Sequence, residues 1–357
     1  MNELTVGLGE RSYPIHIDDG CLQHIGKDLS ERAIANRYCI IADDRVAALY
    51  GNTILESLSG SGIAADLLTF PEGEASKSLT TFAELCSKVA GKGYDRRDGI
   101  IALGGGVSGD LAGFVASCYM RGVPFVQIPT TLLAQVDSSV GGKTGVDIEE
   151  GKNLVGTFYQ PRAVYIDPGV LETLPADQFI GGIAEVIKYG VIRDRDFFNY
   201  LRRERTAVLA LNREVITKII LTSCTIKADV VAEDEKESNI RRILNYGHTI
   251  GHAVEAASNF SIIHGKAVAI GMVAAVRIAV AKGLCSETVH QEIVSLLEEY
   301  ELPTEIPAQL SREQIKNYIL RDKKIVSGKV AYVLPLCLGE VTITDEVDSS
   351  IIDMVLH

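Results

Sequence analysis

The chain has 357 residues, 46% hydrophobic and 23% charged, an ordinary globular composition and enough length for two domains. A formal net charge of −12 argues against broad binding to nucleic acid or to an anionic membrane, so any anion site must be a local cluster of cations. The opening MNELTVGLGERSYPIHI has neither a basic n-region nor an apolar h-region, and the seven dispersed cysteines form no C-x-x-C pair; a cytoplasmic protein with reduced thiols is expected.

Short apolar runs alternate with helical spacing through the first half. Residues 38–42 (YCIIA), 65–70, 99–103 (GIIAL), 125–128 (FVQI) and 163–166 (AVYI) read as buried strands, and helical spacing covers 80–90 and 110–119. This alternation predicts an α/β N-terminal domain with a mostly parallel, Rossmann-like sheet. Past about Leu174 long helical periodicities take over, at 176–205, 211–235, 244–258, 265–282 and 286–300, with a strand pair at 329–334 and 340–344 flanking Pro335. The expectation is a mainly α-helical C-terminal domain, with the chain divided into 1–171 and 172–357. The most apolar long stretch, 267–284, carries Arg277 and Lys282 and is rich in Ala and Gly, which suits a packed helix better than a membrane span.

Residues 104–109 read GGGVSG, so Gly104, Gly106 and Gly109 satisfy G-x-G-x-x-G between a buried strand and a helix. Glycines let the backbone approach a pyrophosphate, and the helix N-terminus offers it free N–H groups. A tight strand-to-helix turn would have the same sequence. The acidic residue that usually holds the adenosine ribose is missing from the 20 residues after Asp110; Asp43 and Asp44, at an earlier strand end, and the segment Glu72 to Lys77 offer acidic groups instead.

Three of the seven histidines, His248, His252 and His264, fall within 17 residues. His248 and His252 are four apart and share a helix face; His264 follows a turn near 259–261. Imidazoles so grouped suit zinc or a similar divalent ion, against the plainer alternative of helix capping and ordinary hydrogen bonding. H-E-x-x-H is absent, which argues against a zincin protease. Glu185, three residues before Lys188, is a candidate carboxylate ligand.

Asp137 and Lys143 are expected in a loop of small residues (137–145), which suits close contact with an anionic ligand, with Lys152 and Asn153 soon after. The Gly142-Lys143-Thr144 segment resembles the end of a Walker A motif, whose first glycine is missing. Arg121, Lys188, Lys227 and Arg241 add cations near other motif residues. In an acidic protein this set points to a substrate with more than one negative charge, against the plainer alternative of solvated surface lysines.

Taken together, PEGEASK (71–77), GGGVSGDLAGF (104–114), RG (121–122), PTTLLAQVDSSVGGKTGVD (129–147), GKNLVG (151–156), GGIAEVIKYG (181–190), NYGHTIGHA (245–253), HG (264–265) and DKK (322–324) resemble the 3-dehydroquinate synthase family of sugar-phosphate cyclases. The resemblance implies an NAD-dependent, phosphate-eliminating lyase that turns 3-deoxy-D-arabino-heptulosonate 7-phosphate into 3-dehydroquinate, works with one divalent ion (zinc or cobalt) and forms a homodimer. It places the metal on Glu185, His248 and His264, leaving His252 for substrate or proton relay. It assigns NAD contacts to Asp43, Glu72, Glu74, Lys77, Gly105, Gly106, Val107, Gly109, Asp110, Thr130, Thr131, Lys143, Lys152 and Thr173. The substrate and catalytic set falls on Asp137, Lys143, Lys152, Asn153, Lys188, Lys227, Arg241, Asn245, His252 and Lys324 or its neighbour Lys323, with Arg121 reaching phosphate across the dimer. Asp177, where relatives often carry Arg, and Val170 depart from the pattern. Rival readings are a cyclase for a substrate without the carboxylate, such as 2-deoxy-scyllo-inosose or 2-epi-5-epi-valiolone synthase, a metal-dependent polyol dehydrogenase, and a dinucleotide sensor without chemistry.

Overall fold

An antiparallel hairpin, β1 (Asn2–Val6) and β2 (Tyr13–Ile17), opens the chain in the computed structural model, which describes residues 2–321, 325–326 and 329–356. Then follow β3 (Arg37–Asp43), β4 (Ala64–Phe70), β5 (Gly99–Gly104), β6 (Phe125–Pro129), a separate antiparallel hairpin of β7 (Lys143–Ile148) and β8 (Gly151–Phe158), and β9 (Ala163–Ile166). The main sheet has the order β1-β2-β9-β6-β5-β3-β4, and every pairing in it except β1–β2 is parallel. From β3 onward the parallel strands follow the doubly wound order 2-1-3-4-5.

Successive side chains of a strand point to opposite faces, and the sequence fills both with apolar groups. On β3, Tyr38, Ile40 and Ala42 join one core cluster, and Cys39 and Ile41 join the other. On β5, Ile101 and Leu103 face the first cluster, Ile100 and Ala102 the second. The helices Ile25–Arg32 and Asn52–Gly60 cover the first face. The helix Leu79–Gly91 and helix α1 (Gly106–Cys118) cover the second.

Two units divide the chain: Met1–Leu174 with Ile216–Glu235, and Pro175–Val215 with Lys236–His357. The segment 216–235, carried by the helix Arg213–Glu233, belongs to the first unit. Within the second unit, α2 (Ala176–Arg193) carries Glu185, α3 (His248–Ala257) carries His248 and His252, and α4 (His264–Ala281) starts at His264. Helix α4 is long and apolar enough to cross a membrane, yet 72% of that window is buried inside the protein.

Several boundaries differ from the periodicities. The run 176–205 is two helices, because Asp194 leaves helical geometry and its side chain caps the Phe197 N–H at 2.9 Å. The run 244–258 becomes a 3-10 turn, Ile240–Asn245, then α3, with left-handed Gly247 (φ 78°) between them. Pro335 lies inside the strand Tyr332–Cys337, beside a register shift, rather than between two strands.

Candidate functional site

The first unit concentrates its motifs at the carboxyl ends of the strands. In a doubly wound sheet, ligands bind outside these ends where the strand order reverses, here between β3 and β5. Asp43 ends β3, and its carboxylate accepts from the Val46 N–H at 2.9 Å and from the Ser108 hydroxyl at 3.4 Å. Burial, partly offset by these bonds, raises its pKa above the usual carboxylate range. Gly104 ends β5 at φ +147°, and a Cβ there would lie 2.2 Å from the Ser108 Oγ. A Cβ on Gly105 would lie 3.0 Å from Cγ2 of Thr131. The glycine turn is therefore packed on both sides, and Thr130 donates its N–H to the Gly104 carbonyl at 2.9 Å.

Helix α1 starts at Gly106, four residues before the expected start, so Gly105 is its N-cap and the first N–H groups belong to Gly106, Val107 and Ser108. Asp110 lies in the second turn, where it pairs with buried Lys77 at 2.6 Å. Burial alone would lower the Lys77 pKa, but the charges of Asp110 and Glu74 outweigh it and raise it. The Lys77 ammonium also donates to the side chain of Asn153, whose φ is 54°. Lys152 lies 3.5 Å from Glu74. Lys143 opens β7 as an exposed strand residue; it and Lys152–Asn153 belong to a paired hairpin, which corrects the expected loop of small residues. Glu72 is exposed, 3.5 Å from Arg45, and exposed Thr173 shares a 2.5 Å hydrogen bond with Tyr50. Asp137 sits in a helical turn, Ala134–Ser138, held by Lys227: the ammonium meets its backbone carbonyl at 2.6 Å and its carboxylate at 2.9 Å. Arg121 is exposed in a tight turn where both it and Met120 have positive φ.

The second unit gathers the imidazoles. One ligand atom from each of His248, His252 and His264 lies within 4.8 Å of the others. Glu185, from the middle of α2, reaches the same place: its Oε1 is 3.4 Å from His248 Nε2 and 3.5 Å from His264 Nε2. The other oxygen is 2.5 Å from Lys188 Nζ, and both side chains are only 1% exposed. Behind the rings, His248 Nδ1 is 3.1 Å from the Tyr246 carbonyl and His264 Nδ1 is 3.3 Å from Glu255 Oε2. Both rings thus turn Nε2 toward one carboxylate, and that donor chemistry fits a zinc- or cobalt-type ion. Burial pulls the His264 pKa down, but hydrogen bonds to Glu185 and Glu255 win and raise it to about 9 in the metal-free chain.

The helices that carry Glu185 and the histidines approach closely because glycines line their contacts. A Cβ on Gly271 of α4 would lie 1.8 Å from the Gly247 carbonyl oxygen, at the start of α3. Asp177 forms an ion pair with Lys266, which ties the beginning of α2 to that of α4. Arg241 is 2% exposed, and Asn245 Nδ2 donates to Glu237 Oε1 at 2.5 Å. Lys323 and Lys324 lie outside the described residues. Glu255 was not singled out from the sequence; the signal was its place three residues after His252 and seven after His248, on one helical face.

Two solved structures share this architecture along nearly their whole length. One is 2-deoxy-scyllo-inosose synthase complexed with carbaglucose-6-phosphate, NAD+ and Co2+, with a TM-score of 0.91 and 28% identity over 99% of each chain. The other is 2-epi-5-epi-valiolone synthase from Streptomyces hygroscopicus with NAD+ and Zn2+ bound, with a TM-score of 0.90 and 27% identity, covering 98% of this chain and 97% of that one. The fold is therefore that of the sugar-phosphate cyclases. Family models described as 3-dehydroquinate synthase N-terminal and C-terminal match residues 67–181 and 182–325. A 3-dehydroquinate synthase from Desulforamulus reducens is 46% identical over 357 residues, covering 100% of this chain and 99% of the relative. The chain belongs to the 3-dehydroquinate synthase family.

Proposed function

We propose that the protein converts 3-deoxy-D-arabino-heptulosonate 7-phosphate to 3-dehydroquinate and phosphate, in the shikimate route to aromatic amino acids, with NAD and one divalent ion, zinc or cobalt. The observation that carries this reading is the convergence of His248 and His264 on Glu185, in a chain 46% identical along its full length to a 3-dehydroquinate synthase.

The residues fit both groups. Glu185, His248 and His264 would hold the ion. On the first unit, Gly105, Gly106, Val107 and Gly109 would let a pyrophosphate meet the start of α1, with Asp43 on the adenosine ribose. Glu72, Glu74, Lys77, Asp110, Thr130, Thr131, Lys143, Lys152 and Thr173 complete the proposed nucleotide set. When bound, the nucleotide supplies a reversible hydride acceptor and the ion a Lewis acid for the substrate hydroxyls.

The remaining work is positioning one flexible substrate through oxidation, phosphate elimination, reduction and aldol closure. On the second unit, Arg241 would bind the substrate carboxylate through paired N–H donors. Asn245, steadied by Glu237, and His252 would hold the phosphate end, and the His252 ring can carry a proton there. Lys188, fixed by Glu185, would donate to substrate oxygens. On the first unit, Asp137, Lys143, Lys152, Asn153 and Lys227 would contact substrate, and Lys324 is assigned the same task. We read the protein as cytoplasmic, its seven cysteines being free, and as a homodimer in which exposed Arg121 reaches the phosphate bound by the partner subunit.

Substrate choice tests the reading. Purified enzyme with NAD and Zn2+ is expected to release phosphate from 3-deoxy-D-arabino-heptulosonate 7-phosphate and not from glucose 6-phosphate, which lacks the carboxylate. The reverse preference would assign the protein to the carboxylate-free cyclases. Arg241→Ala should raise KM or lower kcat strongly for the acid substrate, and near-wild-type kinetics would remove Arg241 from that role.

A further inference from the structure

We propose that Glu255 is a positioning residue for the metal site, accepting the Nδ1–H of His264 and so holding that ring with Nε2 presented to the ion. The inference rests on the metal reading of Glu185, His248 and His264.

The geometry assigns the two sides of the His264 ring to two carboxylates. Nε2 lies 3.5 Å from Glu185 Oε1, on the side of the other imidazoles, and Nδ1 lies 3.3 Å from Glu255 Oε2. A neutral imidazole has one N–H and one lone pair. An acceptor at Nδ1 keeps the proton there and leaves the lone pair at Nε2, where an ion would be. His248 follows the same rule with a different acceptor, the Tyr246 carbonyl, 3.1 Å from its Nδ1.

Glu255 is placed for this by its helix. It lies on the same face of α3 as His248 and His252, seven and three residues behind it in sequence. The residue is 5% exposed. A carboxylate taken that far from water needs a strong donor, and the His264 N–H is one. Its backbone is pinned as well: the Glu255 carbonyl accepts from the Ser258 hydroxyl at 2.7 Å and from the Phe260 N–H at 2.9 Å. This anchoring fixes the end of α3, so the carboxylate is a stationary support for a ring carried by α4. A carboxylate behind a ligating imidazole both orients the ring and makes its lone pair more basic.

Metal affinity tests the role directly. Wild-type protein, Glu255→Gln, Glu255→Leu and His264→Ala would be freed of metal and titrated with Zn2+ against a chromophoric chelator, and with Co2+ by its visible absorption. Melting curves of the metal-free proteins would run alongside. Glu255→Leu is expected to weaken Zn2+ binding by about 10- to 100-fold. Glu255→Gln keeps an oxygen acceptor without the charge and should fall between it and wild type. It also serves if Glu255→Leu does not fold. Wild-type affinity in whichever Glu255 variant folds, whatever its melting temperature, would overturn the inference while leaving the metal site standing. Failure of wild type itself to bind either ion would instead overturn the metal reading and the inference with it.

Discussion

The Cβ that Gly265 lacks would lie 1.9 Å from the backbone oxygen of Gly181. No side chain fits there, so α2 and α4 touch backbone to backbone beside His264 and one turn before Glu185. This backbone contact holds the helix that carries Glu185 against the one that carries His264, whose Nε2 is 3.5 Å from the carboxylate.

Gly265→Ala should therefore push the helices apart. Overpacking of this kind costs about 1–3 kcal/mol, and Zn2+ affinity should fall with it. Thermal melts and metal titration check both, with Gly60→Ala as control, since a Cβ there meets nothing within 4 Å.

Removing the Glu185 charge should harm the protein twice. Glu185→Gln leaves Lys188 buried without its carboxylate, a change that costs about 3–5 kcal/mol for a broken buried pair. It should also abolish tight metal binding. The double variant Glu185→Gln/Lys188→Met is expected to recover much of the stability and none of the metal affinity, which separates the two roles.

Metal affinity should depend on pH through His264. Its pKa in the metal-free chain is raised to about 9, against an ordinary 6.5, so an ion must displace a proton at neutral pH. Apparent Zn2+ affinity should rise by about tenfold per pH unit from 7 toward 9 and then level off. Stability of the metal-free protein should run the other way: the contribution is fully present below about 6.5 and is lost as pH rises through about 9. His264→Ala should flatten both dependences.

His16 gives the opposite sign in the first unit. Burial and then the nearby Arg32 charge lower its pKa, despite Asp28 and Glu3. The unfolded chain thus takes up this proton more readily, and stability should fall as pH drops below about 6.5. Chemical denaturation between pH 5 and 8 would show a shallower acid slope for His16→Gln than for wild type.

Much of the architecture was legible because burial leaves a periodic trace. Residues 38–42 and 99–103 read as doubly buried strands, and their alternate side chains do fill the two cores. The histidine cluster was legible from spacing, since i and i+4 share a helix face in any fold. What was hidden depended on partners distant in sequence. Glu255 looks like a solvated charge until His264, nine residues later, is folded back against it. The break at Asp194 was masked because apolar spacing continues on both sides while one capping carboxylate ends the helix. The β7–β8 hairpin follows the small residues of 138–142 and carries Gly145, Gly151 and Gly156, whose low strand propensity reads as a loop. Spacing also left open which imidazoles act together with a carboxylate; the positions of Nε2 on His248 and His264 around Glu185 bear on that choice and need coordinates to be seen.

A cyclase of this kind reduces and reoxidises its NAD within each turnover. The direct test follows phosphate and NADH together in one reaction of purified protein with 3-deoxy-D-arabino-heptulosonate 7-phosphate, NAD and Zn2+. Stoichiometric phosphate release with no net NADH, stopped by a chelator, is the predicted result. Steady accumulation of NADH would rule out the cyclase and point to a dehydrogenase on the same fold.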